Sequence, residues 1–222
     1  MTTIKAFIFD MDGVITETSE NHFLAWKALG ETLGFELDRS FNEKLKGVSR
    51  RDSLELILSA AGKTPYSEEE KIALMEQKNH HYLSMIQGFT RNNLLPGVES
   101  LLMEIKEAHI RVAIASASQS APLLVEKLGI AHYVDHIVNP GGVAGKPDPA
   151  IFLSAANHFG LAPQACVGIE DAVAGIQAIK GAGMFALGVG DRSILSQADY
   201  VIESFEGVTL KALMEVVYGT RL

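Results

Sequence analysis

In FIFDMDGVIT, residues 7–16, two carboxylates stand two positions apart directly behind an apolar run. Asp10 and Asp12 would sit at the carboxyl end of a buried strand, where open α/β sheets bind their ligands. Burying a carboxylate costs roughly several kcal/mol unless a cation compensates it. A second acidic pair, Glu170 and Asp171, follows another apolar run in VGIEDAVAG, residues 167–175. If the two strands are neighbours the pairs converge, and four carboxylates in one crevice require a hard divalent cation, most simply Mg²⁺. Ser116 lies in VAIASAS, and Lys146 in the Gly- and Pro-rich AGKPDPAIF. A strand-end carboxylate nucleophile, a metal, a hydroxyl and an ammonium are the parts of a phosphoryl-transfer site. Singly, each has a plainer reading. Asp12-Gly13 is a turn dipeptide, Glu170 and Asp171 suit a helix N-terminus, and a lone lysine is usually solvated. Their joint placement at strand ends favours chemistry.

The elements that must position these residues follow a rhythm. Apolar runs at Ala6–Phe9, 112–115, Ile137 with Val138, 167–169, Phe185–Val189 and Tyr200–Ile202 read as strands buried on both faces. Between them Val98, Leu101, Leu102 and Ile105, and later Ala172, Ile176 and Ile179, recur at helical spacing. The alternation predicts a doubly wound, Rossmann-like parallel sheet of the α/β class. Residues 18–88 break it, with helical pattern only: Leu24, Leu29 and Leu33, then Leu54, Ile57 and Leu58, then Ile72, Met75 and Tyr82. A block of this size is expected to be an inserted all-helical domain, leaving 1–17 and 89–222 as the α/β core. Its connections, 14–17 and 89–97, would form a double hinge.

Composition excludes several classes. A net charge of −8 argues against nucleic acid or an anionic membrane as the main partner, though not against a small anion. The single cysteine, Cys166, has no partner for an internal disulfide and reads as a small buried hydrophobe. No signal-peptide pattern opens the chain and no apolar run approaches membrane-spanning length, so a cytoplasmic protein is expected. His80 and His81 are expected to face solvent, and His109, His132, His136 and His158 lack metal-ligand spacing. Gly188 and Gly190 are too sparse for a nucleotide fingerprint.

With these residues assembled, the whole chain resembles the haloacid dehalogenase superfamily of phosphotransferases. Asp10-Met11-Asp12-Gly13-Val14 fits its first motif, Ser116 the second, Lys146 the third and Glu170-Asp171 the fourth, in order. The helical insert resembles the family's four-helix cap. The resemblance implies that Asp10 is the nucleophile and Asp12 the general acid/base. It implies that Asp10, Asp12 (through its main-chain carbonyl), Glu170 and Asp171 hold Mg²⁺, and that Ser116, Ala117 and Lys146 hold phosphoryl oxygens.

Two cap segments, TSENHFLAWKAL and FNEKLKGVSRRDSL, resemble the β-phosphoglucomutase subfamily. By that resemblance Thr18, His22, Trp26, Lys46, Gly47, Arg50, Ser53, Lys78, Ser118, Gln119 and Ser120 contact substrate. A plainer account of LKGVSRRD makes Gly47 a helix stop and Ser49 a cap with Asp52 at N3. It leaves Lys46, Arg50 and Arg51 as a basic cluster, which favours an anion site. The subfamily often reads Ser-x-Ser-Lys-Asn where this chain has Ser116-Ala117-Ser118-Gln119-Ser120, so a cation and an amide give way to a neutral amide and a hydroxyl. The implied reaction interconverts β-glucose 1-phosphate and glucose 6-phosphate through a phospho-aspartate and glucose 1,6-bisphosphate. The implied partners are a sugar phosphate and a sugar bisphosphate, and a monomer is expected. Two alternatives stand beside it: a Mg²⁺-dependent sugar-phosphate phosphatase of the same fold, and a non-catalytic sugar-phosphate-binding regulator.

Overall fold

The computed structural model describes residues 3–63 and 65–220. Strand β1 (Ala6–Phe9) is followed by α1 (Ser19–Thr32), α2 (Arg39–Asn42), α3 (Arg50–Ala60) and α4 (Glu68–Met85). Then come α5 (Val98–Glu107), β2 (Arg111–Ile114), α6 (Ala121–Lys127), β3 (His136–Ile137) and α7 (Ala150–His158). The chain ends with β4 (Cys166–Glu170), α8 (Val173–Gly181), β5 (Phe185–Val189), β6 (Tyr200–Ile202) and α9 (Leu210–Gly219). The strands form one sheet in the order β3-β2-β1-β4-β5-β6, parallel throughout. The chain winds from β1 to one edge, then lays β4 on the other side of β1, so the strand order reverses between β1 and β4. That reversal opens a crevice at their carboxyl ends.

Side-chain alternation divides the sheet into two unlike faces. Phe7, Phe9, Val112, Ile114, Val167 and Ile169 pack with α5, α6 and α9. Ala6, Ile8, Ala113, Cys166 and Ala186 pack with α7 and α8. The second face is built from smaller residues, so its helices approach closely; a Cβ on Gly168 would lie 2.6 Å from Ile179 Cγ1. Asp10 continues the period of Ala6 and Ile8, and Glu170 that of Cys166 and Gly168. Both carboxylates therefore emerge on the side from which the loop before α7 brings Lys146.

Between β1 and α5 the regular elements among the described residues are all helices. Phe23, Trp26, Leu29, Leu33, Leu54, Ile57 and Leu58 share one apolar cluster, while Ala25, Tyr82 and Ile86 join the cluster of the sheet's first face. The expected stripes are corrected at two positions: Leu24 and Ile72 are exposed. On α1 the aromatic Phe23 and Trp26 set the buried face, which leucine spacing alone does not reveal. Strand limits differ by a residue from the apolar runs because ladder hydrogen bonds, not hydropathy, end a strand; Ala115 N–H still donates to Phe9 O at 2.8 Å. No helix among the described residues is long and apolar enough to cross a membrane.

Candidate active site

A tight turn delivers the first acidic pair. Ile15 and Thr16 N–H donate to Met11 O at 2.9 and 3.2 Å, and Asp12 N–H donates to Asp10 Oδ2 at 3.1 Å. Gly13 has φ +78°, and a Cβ there would lie 2.1 Å from Asp171 Oδ2, so only glycine suits both the backbone and the space. At the end of β4, Glu170 Oε2 accepts from the N–H groups of Asp171 and Ala172, each at 2.9 Å. Lys146, wholly buried, places Nζ 2.5 Å from Asp10 Oδ1 and 2.5 Å from Glu170 Oε1. Ser116 Oγ accepts from Ser118 N–H at 3.0 Å, and Ser118 Oγ from Ser120 N–H at 3.2 Å, two turns that wind the end of β2 into α6.

The charges in this crevice do not balance. Burial raises the Asp10 carboxyl to about 8, against the pull of Lys146. Burial also raises Asp12, and burial with the Glu170 charge lifts Asp171 well above the carboxylate range. Burial alone would lower Lys146, but Asp10 and Glu170 together raise it. Asp10, Glu170 and Asp171 each bring a ligand oxygen to within 4.8 Å of the others. Clustered oxygen donors with one lysine among them fit a hard divalent metal ion.

The helical segment supplies the facing wall. The Thr18 hydroxyl donates to Asp12 Oδ1. Lys78 Nζ and His22 Nδ1 lie 2.7 Å apart, and His22 Nε2 lies 3.8 Å from Asp12 Oδ2. His22 Nε2 is buried without a hydrogen-bond partner among the described residues. Burial, with Lys78 and Arg50 nearby, holds His22 well below its usual range. Lys78 Nζ stands 4.8 Å from the Trp26 ring centre and 5.0 Å from that of Tyr82. Burial and Arg50 push Lys78 down to about 7. Arg50 donates to Asn79 Oδ1 at 2.8 Å, and neither Arg50 nor Lys78 has a carboxylate in ion-pair contact among the described residues. Lys46 pairs with Glu43 at 2.9 Å, and Arg51 turns away to Glu68 at 2.6 Å. Ser49 caps α3 as its sequence suggests, with Oγ accepting from Asp52 N–H at 3.1 Å.

Asp10, Asp12, His22, Trp26, Lys46, Gly47, Arg50, Ser53, Lys78, Ala117, Ser118 and Asp171 line a single cleft. Thr18, Ser116, Lys146 and Glu170 are buried behind it and bonded to its lining. Two more of the expected contacts are not in its lining: Gln119 is exposed and lines an adjoining hollow that shares Arg50 and Ala117 with the cleft, and Ser120 is buried at the start of α6. The serine turns account for this, since they direct position 119 outward and position 120 into the helix start. Ser19, Asn42, Leu45 and Val48 also line the cleft. Nothing in their spacing distinguishes them from helix surface or core. The helical segment closes against the sheet's carboxyl edge: a Cβ on Gly47 would lie 3.4 Å from Ala172 Cβ, and one on Gly145 3.1 Å from Ser49 Cβ. Its two connections run side by side, with Leu95 N–H donating to Ile15 O at 3.0 Å and the Thr16 hydroxyl to Asn93 O at 2.6 Å.

A Rossmann-type switch point with convergent carboxylates and a buried lysine defines a class, and comparison names it. The model of the haloacid dehalogenase-like hydrolases matches residues 4–183, and the chain belongs to that family. It is 47% identical over 214 residues to the β-phosphoglucomutase of Bacillus subtilis, covering 96% of this chain and 95% of that one. The crystal structure of β-phosphoglucomutase from Clostridium difficile superposes with a TM-score of 0.95 at 43% identity, covering 98% of each chain. The fructose-1-phosphate phosphatase YqaB of Escherichia coli is 35% identical over 191 residues, covering 82% of this chain and 94% of that one.

Proposed function

We propose that this chain is a β-phosphoglucomutase, interconverting β-glucose 1-phosphate and glucose 6-phosphate through a phosphorylated Asp10. The observation that carries the reading is a cleft with cations on both walls. Lys146 stands by Asp10 on one side, while Arg50 and Lys78, without carboxylate partners among the described residues, stand on the other. A phosphatase needs one phosphate site, whereas a mutase must hold the phosphate being moved and the one that stays. The 47% identity to a β-phosphoglucomutase supports the same conclusion.

In this reading phosphorylated Asp10 first passes its phosphoryl group to the 6-hydroxyl of β-glucose 1-phosphate, the aspartyl P–O bond breaking while Asp12 takes the hydroxyl proton, to give glucose 1,6-bisphosphate. The bisphosphate then presents its 1-phosphate, Asp10 attacks that phosphorus, the P–O bond to the sugar breaks, and Asp12 returns the proton to the departing sugar oxygen, leaving glucose 6-phosphate and phosphorylated Asp10. Lys146, with Ser116 and Ala117, holds phosphoryl oxygens. Asp10, Asp12 (through its carbonyl), Glu170 and Asp171 would hold Mg²⁺, which would supply positive charge against the phosphoryl group. Thr18, bonded to Asp12 from the start of the helical segment, and His22 beside it link that segment to the acid/base. We read residues 18–88 as a cap domain hinged on 14–17 and 89–97, whose closure around a bound sugar assembles the acid/base, so that water stays inactive until a sugar arrives.

The rival is a sugar-phosphate phosphatase, which the kinship with YqaB keeps in view. A regulator without turnover would need neither Asp10 as nucleophile nor Asp12 as acid. The test supplies β-glucose 1-phosphate, Mg²⁺ and a glucose 1,6-bisphosphate primer, then measures glucose 6-phosphate against free phosphate. A mutase yields mostly isomer. Phosphate release outrunning isomer at saturating primer gives the phosphatase reading, and no turnover the regulator.

A further inference from the structure

Asn42 ends the four-residue helix α2 and forms part of the cleft wall. It is 9% exposed, and its carboxamide makes no hydrogen bond among the described residues, although its backbone N–H donates to Asp38 O and its carbonyl accepts from Leu45 N–H. Its amide atoms are not sealed in protein but open onto the cleft, where a ligand or water can meet them. The segment is anchored to hold them there. Asp38 caps α2 by accepting from Phe41 N–H at 2.7 Å, and Arg39 donates twice to Glu20 of α1, at 2.8 and 2.9 Å.

Asn42 is the only side-chain amide among the described residues of the cleft wall. A phosphate offers acceptors alone and is met best by cations, which the cleft already provides. A sugar hydroxyl is both donor and acceptor, and a carboxamide complements it with one group of each kind. We propose that Asn42 reads a ring hydroxyl of the sugar phosphate and is a specificity-determining residue of this cleft. The inference rests on the sugar-phosphate reading above.

The test compares kcat/KM for β-glucose 1-phosphate and its 2-, 3- and 4-deoxy analogues in wild type and Asn42→Ala. Wild type should lose roughly tenfold on one analogue, the cost of a missing hydrogen bond. Asn42→Ala should show a loss of that size on the parent sugar and none further on that same analogue. Because the readout is one hydroxyl against the others, general damage to the fold cannot imitate it. Asn42→Asp, which keeps the shape but only accepts, replaces the alanine variant if that one does not fold, and should likewise lose discrimination at that hydroxyl. Losses equal on every analogue, no loss at all, or a wild type indifferent to every deoxygenation would overturn the proposal. If the enzyme proves to hydrolyse rather than isomerise, the mutase reading fails, and the same comparison made on phosphate release still decides Asn42.

Discussion

Lys78 holds its amine against Trp26, Tyr82 and His22, with no carboxylate in ion-pair contact among the described residues. Its burial lowers it from 10.5 to about 7. Between those values the unfolded chain binds the proton that the folded chain has shed, so the ligand-free protein should gain stability as pH rises across that window. Below it the buried charge is retained against its desolvation. Lys78→Met should flatten the rise, as read by chemical denaturation at several pH values, and should weaken sugar-phosphate binding. The acidic pair has a separate test. Asp10→Asn is expected to abolish phosphoryl transfer with the fold intact, since an amide does not attack phosphorus. Asp12→Asn keeps the main-chain carbonyl but loses the proton shuttle, which is typically worth about 10²–10⁴ in rate. Rapid-quench detection of phosphoenzyme separates the two.

At the scale of elements, the site depends on how closely the turn after β1 meets the end of β4. Gly13→Ala would add strain at φ +78° and a methyl group 2.1 Å from Asp171 Oδ2. The turn or the carboxylate must move, and three clustered oxygens cannot then converge. Calorimetric titration should show loss of divalent-metal binding, with a melting temperature only modestly lowered. Retained metal affinity would mean that Asp171 is free to swing away. The run Ser116 to Ser120 teaches a related point: its hydroxyls are engaged in shaping the backbone, so hydrogen-bonding residue types alone do not say which side chains meet a ligand.

For the whole molecule, the question is whether the two walls act on one substrate. Arg50→Ala removes a cation from the helical wall and leaves the carboxylate crevice untouched. It should impair turnover of sugar phosphates far more than autophosphorylation by acetyl phosphate, a donor with no second phosphate to grip. A comparison of kcat/KM for the two reactants measures this. Equal losses would show that Arg50, bonded to Asn79, supports the packing of α3 on α4 instead.

The order of strands and helices was legible because period-2 and period-3.6 burial are written into residue types, and the two acidic motifs because their strand ends are marked by an abrupt change from apolar to acidic. Local signals of that kind also announced Ser49 as a cap. What the chain could not announce is which groups meet across 136 positions of sequence, as Lys146 does with Asp10. Convergence of the acidic pairs required β4 to lie beside β1, a consequence of the sheet's order and not of either segment. The phase of α1, the outward turn of Gln119, the burial of Ser120 and the unmet amide of Asn42 were likewise decided by packing. A side chain's direction depends on the neighbours that exclude it from other directions, and those neighbours are distant in sequence.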